Sequence, residues 1–354
     1  MAVATLTTVE GTTHYPKPVH TIPPSLRNDG PRVQNGWDLD KLKLEGNQGG
    51  VIPPSHLAWL TPIAADAPIE DIRVAYERDG VVHIRGLLDP EEVMSTREKF
   101  SEFVAPSGVL KPGTSPRDAI YNTAMDPAKF PGPSATQFDR SQNDNALLDY
   151  STRAGREDFI VSFSDQDRLL AFVGRLMPEW KEPMRFRRQL LRTNIPRSYN
   201  TATRVHYDQM YLRKMEPGAV TAWIPIGHVS PVSGGLLYLE GSREMGREIE
   251  RTFLALNEEL PADAQISAFN QNMLYGGGLT KDCAAFARTT NRRWLVGDYR
   301  AGDVVFHHSC MIHCSANNED PEDRIRLATD VRFADRQAPF DDRWNEFYYA
   351  GDGK

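Results

Sequence analysis

The sequence predicts an α+β fold in which helices come first and a sandwich or barrel of short strands follows. Hydrophobic spacing typical of helices is concentrated between residues 68 and 177. After Pro183 the character changes to short β-rich runs that are separated by Pro, Gly, Ser and Asn. The chain of 354 residues is long enough to bury a full core in one large domain.

Three helices and one strand are predicted before this change of character. Gly80 stands where the first helix would end, and Asp89 with Pro90 supplies a cap and a first-turn proline for the second. Ser164 is the expected cap of the third helix. The predicted elements are a helix at 68–79, a strand at 81–88, a helix from 90 and a helix at 165–177.

Seven β-rich runs form the predicted core, which extends from about 184 to 335. An insertion at about 243–298 interrupts it and begins with a helical stretch near 243–259. The runs are FRRQLLRTNIP (186–196), TRVHYDQMYL (203–212), AVTAWIPIGHV (219–229), GGLLYLEGS (234–242), RRWLVGDY (292–299), DVVFHH (303–308) and IRLATDVRF (325–333).

Two other stretches lack helical or strand periodicity. Residues 1–50 are rich in Thr, Pro, Asn and Gly, and we expect a mobile or surface-wrapping arm there. The remainder, 51–354, is predicted to be a single domain. Residues 105–157 hold many Pro, Gly, Asn and Asp residues, which is typical of a lid, a binding loop or disorder, and we favour a lid.

Composition excludes several classes of function. There are 41 Lys and Arg residues against 48 Asp and Glu residues, and the net charge of −7 argues against a nucleic-acid partner. No run of about 18 apolar residues predicts a membrane span. The first residues lack the pattern of a secretion signal, and three cysteines cannot form a disulfide framework. We therefore expect a cytoplasmic protein.

The run TRVHYDQMYL contains a candidate metal site. In a strand, side chains two residues apart lie on one face, so His206 and Asp208 would project together. A histidine from a second strand, His313, would complete two imidazoles and one carboxylate. This facial triad, with its open positions, is typical of non-haem Fe(II) oxygenases.

A second group of residues near His313 superficially suggests a zinc site. His307, His308, Cys310 and Cys314 are all potential zinc ligands. In a strand, however, Cys310 and Cys314 would face away from His313. We therefore do not expect a zinc cluster there.

The sequence resembles the phytanoyl-CoA dioxygenase-like branch of the Fe(II)/2-oxoglutarate dioxygenases. The resemblance implies a double-stranded β-helix, a jelly-roll or cupin-like core with flanking helices. It also implies an enzyme that uses Fe(II), 2-oxoglutarate and O2, with His206, Asp208 and His313 as catalytic iron ligands. The blocks that carry it are HYD (206–208), TAWIPIGHVSPVSGGLLYLEGS (221–242), AGDVVFHHSCMIHCS (301–315) and RIRLATDVRF (324–333).

The resemblance further implies an arginine beyond His313 that holds the distal carboxylate of 2-oxoglutarate. Arg324 stands eleven residues after His313, whereas aligning R-L-A-T-D-V-R-F favours Arg326. We prefer Arg326, because loop length varies more readily than strand register. Arg332 is expected to be structural. The other implied cosubstrate contacts are Thr221, Trp223 and Ser315.

The predicted reaction is oxidation, most simply hydroxylation, of a C–H bond in a small organic molecule. We favour an intermediate of secondary metabolism, because the long stretches 105–157 and 243–298 would shape a specialised pocket. The alternative is a catalytically inactive jelly-roll that binds a small molecule. The sequence does not identify the substrate, and it leaves the oligomeric state open, with a homodimer as the commonest arrangement.

Overall fold

Two facing sheets form the core of the fold, and helices pack on the outer side of the larger sheet. The structure is a computed structural model that describes residues 29–47, 49–130, 146–198, 201–212, 218–258 and 278–347. This arrangement confirms the predicted α+β jelly-roll. The helices are α1 (Ile69–Asp79), α2 (Pro90–Val104), α3 (Ala146–Ala154), α4 (Asp158–Ser164), α5 (Asp167–Leu176), α6 (Arg243–Glu258) and α7 (Cys283–Thr290).

Most of the strands are short, and the last strand is the longest. In chain order they are β1 (Val33–Gln34), β2 (Trp37–Asp38), β3 (Leu57–Trp59), β4 (Ile63–Ala64), β5 (Val81–Arg85), β6 (Pro183–Arg185), β7 (Leu190–Asn194), β8 (Val220–Pro225), β9 (Leu236–Leu239), β10 (Trp294–Val296), β11 (Val304–His308), β12 (His313–Ser315) and β13 (Arg326–Asp335).

The major sheet has the order β4-β5-β11-β8-β13, and β13 pairs along its other edge first with β7 and then with β6. The minor sheet has the order β12-β9-β10-β3. Most pairings are antiparallel, but β4 with β5 and β3 with β10 are parallel, so both sheets are mixed. Since β10 lies inside the minor sheet, the last residues of the predicted insertion 243–298 belong to the core.

Alternation along the strands divides the core into three layers. On β8, Ala222 and Ile224 pack beneath the helices, whereas Trp223 points into the space between the sheets. On β9, Leu237 and Leu239 face outward and Tyr238 faces inward. Because strand side chains alternate, every inward position adds one side chain to the interior between the sheets.

The first helices follow their sequence signals. Helix α1 ends at Gly80, whose φ of 72° is left-handed, and the Asp89 side chain accepts a hydrogen bond from the Glu91 amide at the start of α2. The predicted third helix is wrong at its start. Ser164 is the last residue of α4, and α5 begins after Gln166.

The stretch 105–157 is partly helical, contrary to the expectation of an irregular loop. Helix α3 lies within it, and α4 begins just after it. Burial of Leu147 and Ala154 against the main core explains why this segment is helical despite its polar composition. Residues 131–145 of the predicted lid lie outside the described residues.

The outer face of the minor sheet is covered by α7 and by the segment that precedes β3. Leu39, Leu42 and Leu44 are buried there beside Phe286. Residues 1–28 of the predicted N-terminal arm lie outside the described residues. In the described ranges, no helix is both long and apolar enough to cross a membrane.

Candidate metal centre

His206 and His313 face each other across an antiparallel bridge. The His206 amide donates to the His313 carbonyl over 2.9 Å, and the His313 amide donates to the His206 carbonyl over 2.8 Å. Directly opposed residues of an antiparallel pair project to the same side. The two imidazole rings therefore lie together, with centroids 4.2 Å apart.

Asp208 joins the histidines through a tight turn rather than through a continued strand. The strand expected over TRVHYDQMYL stops after the bridge at His206, and a 3-10 helix begins at Asp208. The turn brings Asp208 Oδ1 to 3.7 Å from His206 Nε2 and to 3.9 Å from His313 Nε2. Tyr207 points to the other side, where its hydroxyl donates to Glu250.

The ring orientation of both histidines is fixed by the backbone. His206 Nδ1 lies 2.8 Å from the Arg204 carbonyl, and His313 Nδ1 lies 2.9 Å from the Met311 carbonyl. Since a carbonyl only accepts, each Nδ1 carries the proton and each Nε2 keeps its lone pair for a metal. Burial and the neighbouring His206 and His307 hold the pKa of His313 well below its usual value, which favours the neutral ring.

The three side chains form a group that could hold a metal ion. Their ligand atoms lie within 4.8 Å of one another, and all three residues are buried. Two neutral imidazoles and a carboxylate match the donor set of non-haem iron sites.

The second oxygen of Asp208, Oδ2, has three polar neighbours. Thr221 Oγ1 donates to Oδ2 over 2.5 Å, Arg332 Nε lies 3.2 Å away, and His307 Nε2 lies 3.5 Å away. Burial would raise the pKa of Asp208, but Arg332 and the neighbouring histidines outweigh it and hold the pKa well below its usual value. The carboxylate is therefore ionised.

Two residues make contacts that differ from those expected from the sequence. Thr221, expected beside the cosubstrate, has its hydroxyl directed at Asp208. Arg332, expected to be structural, contacts Asp208 itself. Alternation along the strand could have indicated this position. Arg332 and Arg326 are separated by an even number of residues and therefore share one face of β13.

The structure separates the two candidate arginines for the cosubstrate. Arg326 opens β13 and is 3% exposed, and its Nε donates to the Gly234 carbonyl over 2.8 Å. Burial lowers its pKa to about 10. Arg324 precedes the strand, so the two arginines do not share one strand face. Its half-exposed side chain pairs with Glu322 and Asp320.

Trp223 and Ser315 are both buried, but in different settings. The Trp223 ring packs edge-on against Tyr299 in the interior, and its indole nitrogen finds no acceptor within the described ranges. The Ser315 hydroxyl instead accepts a hydrogen bond from the Thr203 amide over 2.6 Å. Ser315 therefore ties β12 to the segment that leads to His206.

The sequence did not indicate that His307 lies beside His313 in the candidate metal site. His307 points inward from β11, its ring centroid is 4.6 Å from that of His313, and its Nδ1 lies 3.2 Å from the Tyr238 hydroxyl. His308 faces the opposite side and meets Arg247. Cys314 packs in the outer core of the minor sheet, as alternation predicted, so the residues of the apparent zinc motif do not converge.

Comparison with known proteins gives one family and a set of distant structures. The family model for phytanoyl-CoA dioxygenase (PhyH) matches residues 76–325, more than two thirds of the chain. The matched range contains His206, Asp208 and His313. A search of curated proteins found no match.

Similar solved structures include two non-haem enzymes and one protein complexed with 2-oxoglutarate. The α-ketoglutarate-dependent epimerase SnoN from nogalamycin biosynthesis is 19% identical, with 77% of this chain and 84% of that chain covered and a TM-score of 0.46. The carbocyclase SnoK from the same biosynthesis is 20% identical, with coverages of 79% and 89% and a TM-score of 0.44. EvdO2 from Micromonospora carbonacea var. aurantiaca, complexed with 2-oxoglutarate, is 16% identical, with coverages of 81% and 100% and a TM-score of 0.45.

The family assignment rests on the family model, whose match extends from the end of α1 to the residue before β13. The group of His206, Asp208 and His313 agrees with it independently, since its donor set suits non-haem iron. The chain therefore belongs to the phytanoyl-CoA dioxygenase family and is a non-haem iron, 2-oxoglutarate-dependent enzyme.

Proposed function

We propose that the protein hydroxylates a C–H bond of a small organic molecule, an intermediate of secondary metabolism, with Fe(II) held by His206, Asp208 and His313. The observation that carries this proposal is the convergence of two oriented Nε2 atoms and one carboxylate oxygen in a buried site. With three protein ligands, the ion would keep positions open for the cosubstrate and for O2.

The chemistry of the surrounding side chains fits 2-oxoglutarate. Arg326 offers a planar fork for a carboxylate, and its Nε is already held by the Gly234 carbonyl, which fixes the direction of the fork. Trp223 pairs in register with Asp330, which lies between Arg326 and Arg332 on β13. Among the described residues the indole N–H of Trp223 has no partner, so it is a buried donor on the interior face, at a level of the sheet between Arg326 and the metal group.

The bound iron, with 2-oxoglutarate and O2, would supply the oxidising power for the reaction. The protein's own residues bind and orient. His206 and His313 present lone pairs because their Nδ1 protons are committed to carbonyls, and Asp208 stays ionised beside Arg332. Burial of all three side chains excludes water from the centre, which strengthens their electrostatic interactions.

The substrate class is supported by the two long stretches 105–157 and 243–298; the first precedes the blocks that carry the family resemblance, and the second separates two of them. Loops on a rigid scaffold commonly determine the substrate. Ile120 forms a bridge to Arg324, so the first stretch lies beside the start of the strand that carries Arg326.

The alternative function is a jelly-roll that binds a small molecule without turnover. The complete His206, Asp208 and His313 group disfavours it. A turnover assay separates the two functions. Protein loaded anaerobically with Fe(II) is given 2-oxoglutarate and air, and succinate is measured with and without candidate substrates.

We expect succinate formation that depends on iron and on Asp208, and that increases with a true substrate. Asp208→Asn should abolish it, while His228→Ala, at an exposed histidine away from the centre, should retain it. Absence of succinate from correctly loaded protein with every substrate would favour the binding protein.

A further inference from the structure

We infer that Arg332 is a positioning residue: it holds the outer oxygen of Asp208 so that the carboxylate binds the metal through Oδ1 alone, and Trp344 keeps Arg332 in place. This inference rests on the proposed function. It connects the segment after the last strand to the metal centre.

The two oxygens of Asp208 have different surroundings. Oδ2 receives Thr221 Oγ1 at 2.5 Å, and Arg332 approaches it with both Nε and Nη2 at 3.2 Å. Oδ1 faces the metal-binding nitrogens of His206 and His313 instead. Since a carboxylate oxygen offers about two lone-pair sites, Oδ2 is fully used by the protein. Oδ1 is the oxygen left for an ion.

Arg332 is itself restrained. It lies in register opposite Thr221 on β8, so both donors come from adjacent strands of the major sheet. Its guanidinium carbon stacks 5.0 Å from the centroid of the Trp344 ring. Trp344 is the buried residue of a 3-10 helix, Asp342–Asn345, and its carbonyl accepts a hydrogen bond from the Arg188 amide over 2.9 Å.

Positioning and simple charge predict different results for Arg332→Lys. A nearby cation repels a divalent metal but also favours the ionised form of Asp208, so an effect of charge alone would be preserved in Arg332→Lys. If Arg332 instead orients the carboxylate, removing it leaves Asp208 free to rotate, and metal binding weakens. Outer partners of metal ligands commonly contribute about 10- to 100-fold to metal affinity.

The test is titration of the metal-free full-length protein with Mn(II), followed by the EPR signal of free Mn(II). Arg332→Met should weaken binding about 10- to 100-fold. Arg332→Lys should weaken it similarly, because lysine keeps the charge but lacks the fork. Arg336→Met is the matched control, since Arg336 follows the same strand at the surface and pairs with Glu182. Unchanged or tighter binding by Arg332→Met, or full affinity in Arg332→Lys, would overturn the inference.

Trp344 gives an independent variant if Arg332→Met fails to fold. Trp344→Ala should weaken Mn(II) binding severalfold, whereas Trp344→Phe, which keeps an aromatic face, should restore it. Equal affinity in Trp344→Ala and the unaltered protein contradicts the role of Trp344. Failure of the unaltered protein to bind Mn(II), or binding that His313→Ala leaves intact, would instead refute the metal centre of the proposed function.

Discussion

Replacing Arg326 with methionine should selectively destroy recognition of the distal carboxylate of 2-oxoglutarate. Methionine retains much of the buried volume but none of the donors. Within the described residues, Arg326 Nε is bound to Gly234, and Nη1 has only a long contact of 3.4 Å to the Arg192 carbonyl. Three of its five N–H groups therefore remain, and a bidentate carboxylate uses two of them. At about 1.5 kcal/mol for each charge-assisted hydrogen bond, their loss costs about 3 kcal/mol, or about 150-fold in Kd.

The assay is calorimetric titration of Mn(II)-loaded protein without oxygen, using 2-oxoglutarate and 2-oxopentanoate. The second ligand has the same 2-oxo acid end and chain length but lacks the distal carboxylate. Arg326→Met should therefore strongly weaken the binding of 2-oxoglutarate and leave the binding of 2-oxopentanoate nearly unchanged.

Arg324→Met is the matched control, because the half-exposed Arg324 already pairs with Glu322 and should change neither affinity. If Arg324→Met loses 2-oxoglutarate while Arg326→Met binds it within about threefold of the unaltered protein, the assignment of Arg326 is wrong. Equal losses for both ligands in Arg326→Met would indicate damage to the fold rather than loss of carboxylate recognition.

Three further predictions concern the metal, stability against pH, and packing. His206→Ala or His313→Ala should abolish stoichiometric iron binding measured by elemental analysis, and a full equivalent of iron in either variant would contradict the ligand assignment. Burial, reinforced by Arg247, lowers the pKa of His308 to about 3, so the unfolded chain binds a proton below about pH 6.5 that the folded chain does not. The free energy of unfolding should therefore fall as the pH drops from about 6.5 towards 4, by up to about 1.4 kcal/mol per pH unit. Measured by urea unfolding at several pH values, it should fall less steeply with pH in His308→Gln. The same dependence on pH in both proteins would refute this prediction. Gly246→Ala should lower the free energy of unfolding by about 2 kcal/mol, because the added Cβ would stand 2.0 Å from the Cys310 carbonyl oxygen. An unchanged midpoint of urea unfolding would show that α6 does not pack closely on the backbone at Cys310.

The sequence predicted those features that depend on neighbouring residues. Asp89 and Gly80 mark helix ends because capping is decided within one turn of chain. The helical stretch near 243–259 was likewise readable from spacing, and α6 occupies it. The N-cap expected at Ser164 was wrong, because Ser164 is instead the last residue of the short helix α4.

The candidate site was only partly predictable. His206 and Asp208 do lie on the same side, but a 3-10 turn places them there rather than the pleat of a strand. Trp223 lies in the interior between the sheets, and its contact with the cosubstrate stays a prediction. The distinction between Arg324 and Arg326 depended on where β13 begins, which is set by its pairing with β7.

The amino-acid sequence by itself determined the fold class, the order of the motif blocks and the identity of the three candidate ligands, because composition, alternation and motif spacing are properties of short segments. Only the tertiary structure decided which donors surround Asp208. Arg332 lies 124 residues from Asp208 in the chain, and Thr221 lies 13 residues from it. Such contacts depend on which strands become neighbours in the sheet, and that choice is made by packing of the whole core rather than by local propensity.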